Sequence, residues 1–432
     1  MYRICETVEA NIGMRYYLSE ADGTGGRIKE EPEDFIVNEI SKYPDEKADG
    51  RFIIAKLTAR NWETNRLIRV LSRSMNISRD RIGFAGTKDK RAVTSQLMSF
   101  QTSDEVLMKL DLKDVTVSGA YRSGRGIRIG DLIGNDFEMT VKHCTMPPDE
   151  IPLTIENVTS AIMSLGGFPN YFGVQRFGAV RPVTHLVGEK IIRGNMREAT
   201  DIYLSQLSEH EMPDTTEARK LLSDRNFSEA LNIMPKTMSF ERTMAEHLVK
   251  RPDDDIGAIA KLPPNLQMMF THAYQSYLFN IMLSKRMEEG IPLNSPVEGD
   301  IVIPLDENGT PVHERPVAVT SKNIDMVERQ LRSGRALIAI SLFGSESEHT
   351  DGIMGDIERK VIRDENITND DFIVPGLPNC SSKGSCREII CPVKDIRYEQ
   401  IADSYKLNFS LPKGNYATCL IREYMKSDMT SY

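Results

Sequence analysis

Gly83-Phe84-Ala85-Gly86-Thr87-Lys88-Asp89-Lys90-Arg91-Ala92-Val93-Thr94-Ser95-Gln96 is the stretch from which the rest of the chain is best read. Two glycines bracket a short apolar pair, so the spacing predicts a tight turn that a partner can approach closely. Lys88, Asp89, Lys90 and Arg91 follow. A lone acid among three cations is favoured in its ionised form by the opposite charges around it. The stretch reads as a carboxylate working on a substrate that carries phosphates. A solvated surface loop has the same composition, so the neighbouring sequence has to decide. Gly86-Thr87-Lys88 lacks the spacing of a P-loop, and Gly124 to Gly130 lacks that of a dinucleotide fingerprint, which disfavours nucleotide hydrolysis and NAD chemistry.

The totals bound the answer. A chain of 432 residues is too long for one ordinary core, so two domains are expected. No apolar run is long enough to span a bilayer and no signal-peptide pattern opens the chain, which reads as soluble and cytoplasmic. Six scattered cysteines form no disulfide framework, and Cys380, Cys386 and Cys391 lack the paired spacing of a zinc site, so no metal is expected. The net charge of -9 argues against generic nucleic-acid binding, but residues 51–130 hold 16 Lys and Arg against 7 Asp and Glu. A basic segment in an acidic chain is the footprint of a polyanion, or a set of charges that the fold disperses.

Phe35, Val37 and Ile40 read as a strand, with Phe52 to Leu57 as its antiparallel partner. Thr64 to Ser74 reads as a helix with Thr64 as N-cap, an apolar stripe through Leu67, Ile68, Val70 and Leu71, and Arg66, Arg69 and Arg73 on a face suited to phosphates. Further strands are expected at Met98–Phe100, Val115–Ala120, Phe137–Val141 and Leu407–Leu411. The loop Tyr121–Arg128 interleaves arginine, glycine and an aromatic, as RNA-tracking loops do. Phe168 to Gly178 crowds four aromatics with Asn170, Gln175 and Arg176. Such a set can stack on unpaired bases and bond their edges, or form an aromatic core turn. Residues 185–250 and Gln267–Met287 read as helical, and residues 296–345 carry short strand signals with a turn at Glu307-Asn308-Gly309. The dispersed strands and helices give an α+β chain with a mixed, largely antiparallel sheet.

At this point a resemblance becomes specific. Gly83–Gln96 resembles the signature of the TruD family of tRNA pseudouridine synthases. Glu31–Glu39, Asn170–Gly178 and Leu411–Thr418 resemble three further motifs of that family, in the family's order. The extra segment after Arg181 is similar to the archaeal and eukaryotic branch. The resemblance implies conversion of uridine to its C-linked isomer in tRNA, at position 13. It implies Asp89 as the catalytic aspartate, acting as nucleophile or base. It implies Phe172 packed on the target base, Asn170 beside it, and Phe35 as the aromatic of the first motif. Lys88 and Lys90 flank the acid and are expected to meet the substrate. A base that is detached, turned and rejoined needs no redox or group transfer, so no cofactor is expected. The implied architecture is a catalytic domain split over 1–189 and 389–432, interrupted by an inserted α+β TRUD domain at 190–388. Asn379 to Arg387 matches nothing in the family pattern. A non-catalytic RNA-binding protein and an RNA methyltransferase are the competing readings.

Overall fold

A computed structural model of the protein describes residues 2–307 and 309–432; Asn308, in the expected Glu307–Gly309 turn, lies outside them. The chain forms two compact units, each built from separated pieces of sequence. One comprises residues 21–168, 391–427 and 431–432, and the other residues 1–20, 169–390 and 428–430. Among the described residues no helix is long and apolar enough to cross a membrane.

The first unit is built on an eight-stranded sheet. Its order is Lys394–Ile401, Ser404–Pro412, Leu132–Val141, Phe35–Ser41, Val93–Phe100, Phe52–Arg60, Val115–Ser123, with Ile82–Phe84 added beside Val93–Phe100. All neighbours are antiparallel except Phe35–Ser41 with Val93–Phe100, which run parallel. Phe35–Ser41 and Phe52–Arg60 are therefore not partners, as the sequence suggested; Val93–Phe100 lies between them. Alternation marks a strand but does not name its neighbour. The helix Thr64–Ser74 buries Leu67, Ile68 and Leu71 against Ile53, Leu57, Met98 and Phe100 of the sheet. Its N-cap is Glu63, whose carboxylate accepts from the Asn65 and Arg66 amides at 2.8 and 2.7 Å, and Thr64 is the first helical residue. The basic loop begins as strand, and two of its arginines face acids: Arg122 bonds Asp104 at 2.7 Å and Arg125 bonds Asp131 at 2.8 Å.

Neither glycine of the opening stretch has a positive φ, so the expected turn is not what they supply. Gly83 sits within the strand Ile82–Phe84. A Cβ there would meet the Ile127 carbonyl oxygen and the Ser99 hydroxyl, each at 2.4 Å. The residue is small because another backbone crosses it.

In the second unit, a run of helices between Thr184 and Ala260 leads into the long helix Pro264–Glu288. That helix is buried on most sides, including Phe270, Tyr274, Asn280 and Arg286. The Arg286 guanidinium is satisfied inside by Asp300 and the Pro292 carbonyl. Gly13, at φ +83, lets the first twenty residues lie on this helix, where Asn280 donates to the Ile12 carbonyl at 3.0 Å. An antiparallel sheet follows, in the order Val317–Ala318, Ile301–Pro304, Ala336–Leu342, Ser385–Glu388.

Candidate active site

The sheet of the first unit presents the loop Ala85–Ala92, which joins Ile82–Phe84 to Val93–Phe100. Its position is fixed at Lys88. The Lys88 amide donates to the Thr64 hydroxyl at 2.8 Å, at the start of the arginine-bearing helix. Its ammonium enters the protein and meets the Glu39 carboxylate at 2.5 Å, with both side chains almost fully buried. The other Glu39 oxygen accepts from Ser41 at 2.6 Å and from the Leu97 amide at 3.3 Å. The parallel register of Ile36 with Val93 and Asn38 with Ser95 brings Glu39 to that amide.

With Lys88 anchored, Asp89 stands out of the loop, its side chain 61% exposed. Lys29 lies 3.6 Å from the Asp89 carboxylate and is itself mostly buried. Its ammonium sits 4.2 Å from the centre of the Phe35 ring. Burial pushes the Lys29 pKa down from that of an ordinary lysine, while the Asp89 charge and hydrogen bond raise it and Arg91 lowers it. Phe35 is buried edge-on against Phe137, with 6.0 Å between ring centres, and Phe137 stacks on Phe409 at 5.3 Å. The structure thus brings Phe35, Lys29 and Asp89 together. Lys90 and Arg91 are exposed on the same loop. The sequence reading missed Lys29 and Glu39. Glu39 ends the Glu31–Glu39 motif and Lys29 lies two residues before it, so a search beside that motif for a cation able to neutralise Asp89 would have found Lys29.

Asn170 and Phe172 belong to the second unit. Their segment is pinned by backbone bonds. The Asn170 amide donates to the Ile389 carbonyl at 2.8 Å. The Phe172 amide donates to the Asn280 side-chain oxygen at 2.9 Å, and its carbonyl accepts from the Asn280 amide group at 3.0 Å. The Asn170 carboxamide donates to the Glu388 carbonyl at 3.0 Å and accepts from Arg387 at 2.7 Å. The Phe172 ring, only 3% exposed, meets the Phe279 edge at 5.4 Å between centres, and the Arg387 and Arg176 guanidinium carbons lie 4.2 and 5.3 Å from its centre. Phe168, Tyr171 and Phe177 are buried core residues of the same stretch.

Among the described residues no group of three or more His, Cys, Asp or Glu is arranged to hold a metal ion. Burial pushes the thiols of Cys386 and Cys380 up to about 11 and about 12. An exposed carboxylate paired with one mostly buried lysine can attack an electron-poor sugar carbon or take a proton.

Comparison with known proteins shows the family. The family model of tRNA pseudouridine synthase D (TruD) matches residues 11–424. A protein of Methanosarcina mazei named "Probable tRNA pseudouridine synthase D" is 42% identical over 428 residues, covering 97% of both chains. Proteins under the same name from Methanosarcina acetivorans and Picrophilus torridus are 41% and 35% identical. They cover 98% and 96% of this chain, and 97% of each relative is covered in return. A crystal structure of a Methanosarcina mazei protein described as tRNA pseudouridine synthase D superposes with a TM-score of 0.88 and 41% identity, over 99% of this chain and all of that one. The α+β architecture is thus shared with a solved relative. The chain belongs to the TruD family of tRNA pseudouridine synthases, isomerases that turn uridine into pseudouridine within tRNA.

Proposed function

We propose that this chain isomerises the uridine at position 13 of tRNA, with Asp89 as its catalytic carboxylate. The observation that carries the reading is the Asp89 carboxylate, exposed on a fixed loop with Lys29 3.6 Å away. In the reaction the bond from C1′ to N1 breaks and its electron pair leaves with the uracil. The base turns, C5 bonds to C1′, and the C5 proton is lost while N1 gains one. Atoms and charge balance without a co-reactant, so the step calls for no cofactor. Asp89 serves either by attacking the sugar or by abstracting a proton from it. The Lys29 ammonium lies 3.6 Å from the carboxylate that takes either role. Phe172 stacks on the target uracil and Asn170 bonds beside it, recovering part of the cost of taking the base from its stack. Phe35 backs Lys29, and Lys90 holds the RNA backbone. Lys88 acts through the loop it anchors. The split catalytic domain falls at about residues 1–189 and 389–432, the inserted TRUD domain at about 190–388, and the enzyme works on tRNA in the cytoplasm.

The test is one incubation of purified protein with unmodified transcribed tRNA, with pseudouridine mapped by carbodiimide adducts and reverse-transcription stops. A new stop at position 13, lost with Asp89→Ala while tRNA binding persists, supports the reading. Turnover by Asp89→Ala at the wild-type rate removes Asp89 from its role. A stop at another uridine removes the position, and binding without any stop favours the non-catalytic RNA-binding reading.

A further inference from the structure

Arg387 lies in the segment Asn379–Arg387 that no family motif accounts for, and more than two hundred residues from the Asn170–Phe172 pair. It stands on Ser385–Glu388, an edge strand held by Ala336–Leu342 in the register Ile340 with Arg387. Strand alternation turns Cys386 and Glu388 to one face and Arg387 to the other. On that face its Nη2 donates to Asn170 Oδ1 at 2.7 Å and its Nε to the Asn170 carbonyl at 3.3 Å. The same guanidinium lies 4.2 Å from the centre of the Phe172 ring.

These contacts divide the work in a specific way. Asn280 fixes the backbone of Phe172 but not its ring. Glu388, the next residue on the strand, accepts from Asn170 Nδ2 through its carbonyl at 3.0 Å. Arg387 and Glu388 therefore take opposite ends of one carboxamide, and an Asn170 flip would set donor against donor and acceptor against acceptor. Among the described residues, Arg387 is the side chain that both bonds the Asn170 carboxamide and lies on the Phe172 ring. Only a planar cation with several fixed donors can do both at once; a lysine ammonium offers a point charge with neither the plane nor the fork.

We infer that Arg387 is a positioning residue for pseudouridine formation, clamping the buried Asn170 carboxamide and Phe172 ring as one rigid unit. The inference rests on the roles proposed above for those two residues. The reaction itself supplies the reason for such a clamp. The detached uracil must turn so that C5 replaces N1 opposite C1′, and its surroundings must stay still while it does. A ring that turned with the base would carry C5 out of register. Misplacement of about 1 Å at a reacting centre costs roughly 10²-fold in rate.

The experiment compares wild type, Arg387→Ala, Arg387→Lys, Asn170→Ala and the Arg387→Ala/Asn170→Ala double variant under single-turnover conditions on transcribed tRNA. Filter-binding affinity and thermal midpoint are measured alongside. Arg387→Ala is expected to lower the rate of isomerisation roughly 10²-fold with tRNA affinity nearly unchanged. Arg387→Lys should restore little, whereas added guanidinium ion should accelerate Arg387→Ala and leave Asn170→Ala slow. The double variant should be no slower than the slower single variant, because the two residues act as a unit. A rate within twofold of wild type in Arg387→Ala, or single effects that multiply, overturns the inference. Should Arg387→Ala not fold, Arg387→Gln, which keeps one donor and loses the planar cation, is held to the same criteria. Absence of product with the wild-type protein would instead sink the proposed function, so the two failures are distinct.

Discussion

Lys88 and Glu39 form a buried ion pair, ammonium to carboxylate at 2.5 Å, one residue before the exposed Asp89. The pair ties the loop to the strand Phe35–Ser41 while leaving the next side chain outside. Removing one member strands a charge in the interior, which costs about 3–5 kcal/mol. Glu39→Gln or Lys88→Met should therefore lower the urea midpoint strongly, and Glu39→Leu with Lys88→Met together should lower it less than either single change. A loss in the double variant equal to the sum of the single losses would show that the pair is not acting as one.

The alkaline limb of the reaction should report Lys29. Burial holds its pKa below the ordinary lysine value of 10.5, against the pull of Asp89. The charged form, and with it the partner of Asp89, is present at neutral pH and is lost as pH rises through that lowered value. A pH–rate profile should thus begin to fall below pH 10.5. In Lys29→Arg, whose guanidinium stays charged, the limb should move upward or disappear. An identical limb in both proteins would assign it elsewhere.

Arg66, Arg69 and Arg73 are exposed along the helix Thr64–Ser74 and make no ion pair among the described residues. That helix begins at Thr64, which holds the Lys88 amide. Removing a side chain that neutralises one phosphate should reduce the slope of log affinity against log salt by about 0.7–0.9. Replacing all three by Gln should lower the tRNA slope by roughly 2–3 and raise KM with kcat retained. An unchanged slope would leave these arginines as a solvated face.

Gly83→Ala should be costly although it adds a single methyl group. The new Cβ meets the Ile127 carbonyl and Ser99 hydroxyl, both at 2.4 Å, so the strand must move away. A loss of about 1–3 kcal/mol by denaturant titration is the expected result. A loss below a few tenths would mean that the segment crossing at Ile127 yields freely.

What could be read from the sequence depended on how local each signal was. The helix Thr64–Ser74 was legible to the residue because its apolar stripe lies within one element. Its cap was not, because a glutamate accepts the end amides and the threonine beside it is drawn to Lys88. Sheet order was not legible, since the partner of Phe35–Ser41 is decided by Val93–Phe100, more than fifty residues away. The strand Lys394–Ile401 escaped notice because its outward side chains are charged, as edge strands commonly are. The helix Ile324–Arg332 escaped because it buries little beyond Val327. The motifs point to Asp89, Phe35, Asn170 and Phe172, but Asn280 and Arg387, which hold two of them, come from other stretches, and Glu39, though in the motif of Phe35, has no mark that pairs it with Lys88.

The first twenty residues have a further consequence, which concerns synthesis. They rest on a helix that begins at Pro264, and the strand bearing Arg387 comes later still. At about 5–20 residues per second, this opening segment waits on the order of ten seconds or more for the surface that receives it. Neither unit is contiguous, so neither can be complete before residue 390 has been synthesised. A gene fragment starting at residue 21 would leave the long helix uncovered at Asn280 and Ser284, which Ile12 and Gly13 otherwise satisfy. Expression of either half alone therefore has to be planned as a splice of separate segments rather than as a cut.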